Sequence, residues 1–167
     1  MQWTLRTAAL ILGLAVSALA HAHGQNHGVE AHAKTAPATK EQQPWGIAGD
    51  PGRVNRSIVI RMTDAMRFHP DRIRVRQGET IRFVLRNEGR MLHEMVIGSQ
   101  AVLDEHAELM RRFQDMEHDE PWMAHVESGQ TGEIVWHFNR AGDFTYACLI
   151  PGHYEAGMKG RIRVVPR

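Results

Sequence analysis

The chain has 167 residues, with 20 basic and 19 acidic side chains, 11 histidines, nine methionines and one cysteine. Loss of residues 1–20 would remove only Arg6 from the charged set and leave the two signs equal, which argues against nucleic acid as a partner. A single cysteine excludes an internal disulfide, so Cys148 is buried, paired between chains or held by a metal.

The first 20 residues have the pattern of a secretory signal peptide. Arg6 precedes an apolar run from Ala8 to Val16, which is too short for a membrane span. Small residues favour cleavage after Ala20, and cleavage after Ala22 also fits. A retained N-terminal anchor is the alternative. We predict an exported, periplasmic protein whose mature form does not span a membrane.

Residues 21–54 are predicted to be a histidine-bearing flexible tail or linker, because alanine, glycine, glutamine and proline dominate them. Cleavage after Ala20 would place a histidine third from a free amine, an arrangement that can bind Cu(II). The tail histidines are His21, His23, His27 and His32. The alternative is a solvated linker without specific metal affinity.

Residues 55–167 are predicted to form one all-β domain. Apolar residues alternate with polar ones in short runs bounded by turn sequences such as Asn87-Glu88-Gly89, which indicates antiparallel strands in a sandwich or barrel. The alternating residues are Ile58, Ile60 and Met62; Ile73 and Val75; Ile81, Phe83 and Leu85; Ile134, Trp136 and Phe138; Phe144, Tyr146 and Cys148; Ile162 and Val164.

One segment departs from this alternation. In Gln100–Met116 the apolar residues have helical spacing with charges between them, so we predict one helix inserted between two strands. Its apolar residues are Val102, Leu103, Leu109, Met110 and Phe113.

The segment AGDFTYACLIPGHYEAGMKG carries a thiolate, an imidazole and a thioether. Cys148, His153 and Met158 are separated by four residues in each interval. Two histidines, a cysteine and a weak axial methionine are the ligands of blue copper. His93 shares a strand phase with Met95 and is predicted to face inward, as Cys148 does. It is therefore the candidate fourth ligand. Taken singly, a core histidine and a core methionine are the alternatives.

These features resemble the cupredoxin family, small copper proteins with a Greek-key β-sandwich. The resemblance covers residues 55–167 and rests on the Cys-x4-His-x4-Met loop, the NEGRMLHEM run and the RIRVRQGETIRF strand pair. The histidine-rich leader, the methionines and the MLHEMVIG segment look most like the periplasmic cupredoxins linked to copper tolerance.

The resemblance implies one type 1 copper, with His93, Cys148 and His153 as equatorial ligands and Met158 as the axial one. It also implies that Glu94 offers its backbone N–H to the thiolate. Many members of the family have a small polar residue where this chain has Glu94. The inserted helix also separates His93 from Cys148 by more than a minimal cupredoxin needs.

A second group of potential ligands lies in MRRFQDMEHDEPWMAHVE. It comprises Met110, Met116, His118, Met123 and His125. Because thioethers favour Cu(I), an additional, weakly bound copper is one interpretation, and packing of the helix against the sandwich is the other.

Four protein ligands leave no open coordination position, so we predict that the chain is not an enzyme. In the multicopper oxidases and nitrite reductases that the chain resembles, histidines flank the cysteine, whereas here Ala147 and Leu149 do. The predicted function is periplasmic copper tolerance through binding or redox-buffering of copper by a monomer. The alternative is a mobile electron carrier that serves a respiratory cytochrome or copper enzyme as its redox partner protein.

Overall fold

Alternating apolar residues form strands where the sequence predicts them. The computed structural model describes residues 40–113 and 119–167. In these residues the strands are β1 (Ile47–Ala48), β2 (Arg56–Thr63), β3 (Arg67–His69), β4 (Arg72–Arg76), β5 (Thr80–Asn87), β6 (His93–Gly98), β7 (Met123–Val126), β8 (Thr131–His137), β9 (Gly142–Ala147) and β10 (Lys159–Val165). A 3-10 turn covers Pro51–Arg53, and the helix α1 covers Gln100–Arg112.

The strands build two five-stranded sheets, in the orders β1-β8-β5-β2-β3 and β4-β10-β9-β6-β7. The predicted all-β sandwich with one inserted helix is confirmed. The sequence predicts antiparallel strands. Two strand pairs, β2 with β5 and β4 with β10, are instead parallel. These pairs join strands that are not linked by hairpins, because connections that cross between the sheets place them side by side.

The core lies between the two sheets. The inward phase of each predicted strand supplies it, with Phe83, Trp136 and Tyr146 among the largest fully buried side chains. Burial of these side chains is the main source of stability for the sandwich. Cys148 and Met158 belong to the same cluster, so the end of β9 and the start of β10 place these two predicted ligands in the core.

Helix α1 packs on the outer face of the second sheet. It begins after Ser99, whose side chain accepts a hydrogen bond from the backbone N–H of Val102. Its buried residues are Leu103, Ala107 and Met110. Because the helix covers β6, all six residues of that strand are buried, not only every second one.

Three apolar residues of the predicted helix are exposed. Val102 and Leu109 are each 41% exposed and Phe113 is 58% exposed. A helix lying on a sheet buries one narrow face, and here that face is formed by Leu103, Ala107 and Met110. The helix ends at Arg112; residues 114–116 of the predicted helix lie outside the described residues.

The folded part begins before residue 55. Trp45 is 3% exposed in the core, its carbonyl oxygen accepts a hydrogen bond from Trp136 Nε1 at 2.9 Å, and β1 pairs with β8. The prediction that the flexible tail extends to residue 54 is therefore corrected for residues 45–54, because one large aromatic side chain and a two-residue strand anchor them. The predicted signal peptide and the tail histidines lie outside the described residues. Within the described ranges, no helix is long and apolar enough to cross a membrane.

Candidate metal centre

The predicted ligands lie at one end of the second sheet. His93 is the first residue of β6, and Cys148 follows the last residue of β9. These strands are antiparallel neighbours, with Val96 opposite Ala147, so the start of one lies beside the end of the other. The connection from β9 to β10 then supplies His153 and Met158.

Three ligand atoms converge. One atom each from His93, Cys148 and His153 lies within 4.8 Å of the others. The Cys148 sulfur is 3.3 Å from His153 Nδ1, and the two imidazole rings are 5.0 Å apart between centroids. All three residues are buried, and Met158 is fully buried.

Backbone hydrogen bonds hold the ligand loop, residues 149–158, in a compact turn. The N–H of Cys148 donates to the carbonyl of Met158, and the N–H of Met158 donates to the carbonyl of His153, both at 3.0 Å. Gly152 and Gly157 have φ values of +89° and +88°, a region in which a side chain would be strained. The backbone as well as the core therefore fixes the positions of Cys148, His153 and Met158 relative to one another.

Burial shifts the pKa values of two predicted ligands, Cys148 and His153. Burial raises the pKa of the Cys148 thiol to about 12, and the negative charge of Glu94 adds to the effect. Backbone N–H groups of Glu94 and Ile150 donate to the sulfur and oppose this shift. Burial, followed by the neighbouring His93, lowers the pKa of His153 and keeps it in the neutral form that binds metals.

A buried, unsatisfied atom marks the position for a metal. Neither ring nitrogen of His93 has a hydrogen-bond partner among the described residues, although His93 is fully buried; Nε2 faces Asp64 at 3.4 Å, whereas Nδ1 has no such neighbour. A buried polar nitrogen without a partner is costly, and a metal ion would satisfy it. Thiolate, thioether and imidazole together suit copper better than hard cations, so the residues present fit the metal that the family resemblance implies.

Asp64 faces His93 and was not predicted from the sequence. Its Oδ1 lies 3.4 Å from His93 Nε2, and the carboxylate also accepts the backbone N–H groups of Arg90 and Met91. The N–H of Arg90 is the main cause that lowers the pKa of Asp64. Asp64 lies between β2 and β3, and no local pattern links that turn to His93.

The Glu94 side chain is a second feature that sequence reasoning missed. Its backbone N–H donates to the sulfur, as the family resemblance implies, but its carboxylate is also buried and accepts the N–H of Leu149 at 2.6 Å. The other carboxylate oxygen lies 2.8 Å from His125 Nε2. Burial of an acidic residue on a strand is not visible in a period-two pattern.

The helix also holds the ligand loop. The Tyr154 hydroxyl donates to Asp104 and accepts a hydrogen bond from Gln100 Nε2 at 2.8 Å, and both partners belong to α1. The Lys159 ammonium group lies 4.7 Å from the centre of the Tyr154 ring. Because Tyr154 follows His153 directly, α1 fixes the residue beside a predicted ligand.

The predicted auxiliary group is not brought together as a site in the described residues. Met110 and Met123 are buried in the cluster between the helix and the sheet, and His125 contacts Glu94. For Met110 and Met123 the structure favours the packing interpretation. Met116 and His118 lie outside the described residues, so a weakly bound second copper stays a prediction.

Two facing β-sheets that carry a buried cysteine and two histidines at one end define a cupredoxin-type copper protein. The family model for copper binding proteins of the plastocyanin/azurin family matches residues 54–165. The chain belongs to this family, and copper is its cofactor.

Two curated relatives are similar over most of the chain. The copper-resistant cuproprotein CopI of Rubrivivax gelatinosus is 46% identical over 157 residues, which cover 94% of this chain and 92% of that protein. The CopI protein of Pseudomonas aeruginosa is 35% identical over 165 residues, covering 81% of this chain and 90% of that protein.

Solved structures agree on the fold. An auracyanin B structure has a TM-score of 0.61 at 21% identity, covering 75% of this chain and all of that one. Auracyanin from Roseiflexus castenholzii has a TM-score of 0.59 at 21% identity, covering 68% of this chain and 99% of that one. At this identity the similarity supports the cupredoxin fold alone.

Proposed function

We propose that the chain is an exported, periplasmic type 1 copper protein that contributes to copper tolerance by binding copper and buffering it between its two redox states. The observation that carries this proposal is the convergence of the His93, Cys148 and His153 ligand atoms within 4.8 Å in a buried site. The names of the CopI relatives, which describe them as copper-resistant, support the physiological role.

We assign His93, Cys148 and His153 as equatorial ligands and Met158 as the axial ligand. His93 presents Nδ1 to the metal, because Nε2 faces Asp64 at 3.4 Å. His153 also presents Nδ1, the nitrogen that lies 3.3 Å from the sulfur. Met158 is buried and bound through its backbone to both loop ligands.

Copper in such a site alternates between Cu(II) and Cu(I), since imidazole suits both states and sulfur favours the reduced one. The protein contributes a fixed donor set and a dry environment around Cys148 and Met158. Four protein donors leave no position for a substrate, which supports binding or redox exchange rather than catalysis.

A mobile electron carrier is the second candidate, and the exposure of one ligand favours it. His153 is 9% exposed, whereas His93 and Cys148 are fully buried. The His153 edge is therefore the part of the centre nearest to a docking redox partner protein. Fast, saturable electron exchange with a cytochrome or copper enzyme would support this role, and only slow exchange with all candidates would exclude it.

The direct test of the site replaces Cys148 with serine. Copper-loaded wild-type protein should show an intense thiolate-to-copper absorption band, and the C148S variant should lose it while keeping the fold. His137→Ala is the matched control, because His137 lies in β8 of the other sheet and contacts Thr80. A band that survives in C148S would refute the assignment.

The physiological role is tested by growth in copper. Strains carrying C148S, His93→Ala or a deletion of residues 23–32 should be compared with a gene deletion. We expect the two site variants to be as sensitive as the gene deletion. If only the tail deletion were sensitive, the tail histidines rather than the copper centre would carry tolerance. Unchanged sensitivity of the gene deletion would contradict a role in tolerance.

A further inference from the structure

An acidic side chain on β6, the strand that carries His93, lies next to the proposed copper ligands. Glu94 follows His93 in β6 and is only 1% exposed. Carboxylates are rarely buried to this extent unless polar partners surround them. Here one oxygen accepts the Leu149 N–H at 2.6 Å, and the other lies 2.8 Å from His125 Nε2.

Strand register places Glu94 and His125 together. Glu94 is directly opposite His125 in the β6–β7 pair, so their side chains lie on the same face of the sheet. Helix α1 covers this face of β6. His125 is 39% exposed, so it reaches from solvent to the buried carboxylate.

The carboxylate acts on the peptide that follows a ligand. Leu149 comes directly after Cys148, and its N–H points to Glu94 Oε1. The backbone N–H of Glu94 donates to the Cys148 sulfur in addition. Glu94 therefore holds the cysteine from two sides, once through its main chain and once through its side chain.

The charge of Glu94 acts on the metal as well as on the peptide. Its carboxylate accepts the N–H of Leu149, the residue after Cys148, so the charge lies close to the ligand sulfur. A nearby negative charge stabilises Cu(II) more than Cu(I), because the oxidised ion carries the higher charge. Little solvent lies between the groups to weaken this interaction, since Glu94 and Cys148 are both buried.

We propose that Glu94 and His125 form a positioning pair, in which the carboxylate fixes the peptide after Cys148 and lowers the reduction potential of the bound copper, while His125 holds the carboxylate in place. The proposal rests on the copper site proposed above.

The potential is tested with Glu94→Gln. Glutamine keeps the size of the side chain and an oxygen that can accept the Leu149 N–H, but it removes the charge. We expect the ratio of Cu(I) to Cu(II) affinity to rise at least about tenfold, equivalent to a potential about 59 mV higher for one electron. Glu133→Gln is the matched control, because Glu133 pairs with Arg82 in the other sheet and should leave the potential unchanged.

The positioning role is tested without copper. In metal-free protein, His125→Leu removes the group beside Glu94 Oε2, and we expect hydrogen exchange at the Leu149 amide to become at least about tenfold faster, as a destabilised local contact allows. His125→Gln keeps a donor near the position of Nε2 and should restore slow exchange. His137→Leu serves as the control in the other sheet.

A wild-type potential in E94Q, or wild-type Leu149 exchange in H125L, would overturn the proposal. If E94Q does not fold, H125L decides, because it changes only the half-exposed partner. A wild-type protein without thiolate-to-copper absorption would instead refute the proposed function. A normal absorption band with an unchanged potential in E94Q would refute this inference alone.

Discussion

Alkaline pH should destabilise the metal-free protein through one buried thiol. The pKa of Cys148 is raised from 9.0 to about 12 in the folded chain, mainly by burial. Between these values the unfolded chain releases the thiol proton and the folded chain keeps it. The folded state then binds more protons than the unfolded state, so stability falls as pH rises.

The size of the loss follows from the shift. Each pH unit between 9 and 12 costs ~1.4 kcal/mol of unfolding free energy, which amounts to roughly 3 kcal/mol by pH 11. Below pH 9 the thiol is protonated in both states, and its contribution is constant. Copper-loaded protein should not show the loss, because coordination replaces the proton on the sulfur.

Urea denaturation of the metal-free wild type and of C148S between pH 8 and about 11 measures this loss of unfolding free energy. The raised pKa values of Tyr146 and Tyr154 also destabilise the folded state at high pH, but they are common to both proteins. The difference in unfolding free energy between the two proteins therefore isolates the thiol. If that difference does not change with pH, the thiol is not buried as the structure places it.

Three further substitutions test the surroundings of the site. Tyr154→Phe removes the hydrogen bond to Asp104 and should lower the unfolding free energy by ~1 kcal/mol and speed copper release to a chelator; wild-type release would contradict a role of the helix in holding the loop. Asp64→Asn should weaken copper binding about 10- to 100-fold in a chelator competition, since partners of metal-binding histidines have effects of this size; unchanged affinity would mean that Asp64 does not orient His93. Trp45→Ala should cost ~3–5 kcal/mol of unfolding free energy in urea, and a loss below about 1 kcal/mol would place residues 45–48 outside the core.

Local spacing explains why the ligand set could be predicted. Cys148, His153 and Met158 lie within one loop, and His93 shares the inward phase of its strand with Met95. Both signals need only neighbouring residues and the two-residue period of a strand. The sandwich follows in the same way, because most of its core strands alternate in sequence, as β4 and β10 do.

The parts that could not be predicted depend on contacts between distant segments. Asp64 reaches the site because β2 pairs in parallel with β5, with Met62 opposite Asn87, and a parallel pair has no hairpin that marks it in the sequence. Trp45 enters the core from a segment that is otherwise polar, and one aromatic residue does not form a periodic pattern.

The helix accounts for the buried acid and for the contacts of the ligand loop. A strand with one face in solvent would leave Glu94 exposed, since His93 occupies the inner face. Because α1 covers β6 and contacts Tyr154 through Asp104, the same insertion buries the carboxylate and fixes the residue after His153. In this chain His125 reaches the buried carboxylate from the neighbouring strand. The inserted helix, which the sequence predicts from its apolar spacing, thus allows this chain to bury a carboxylate directly after the ligand His93.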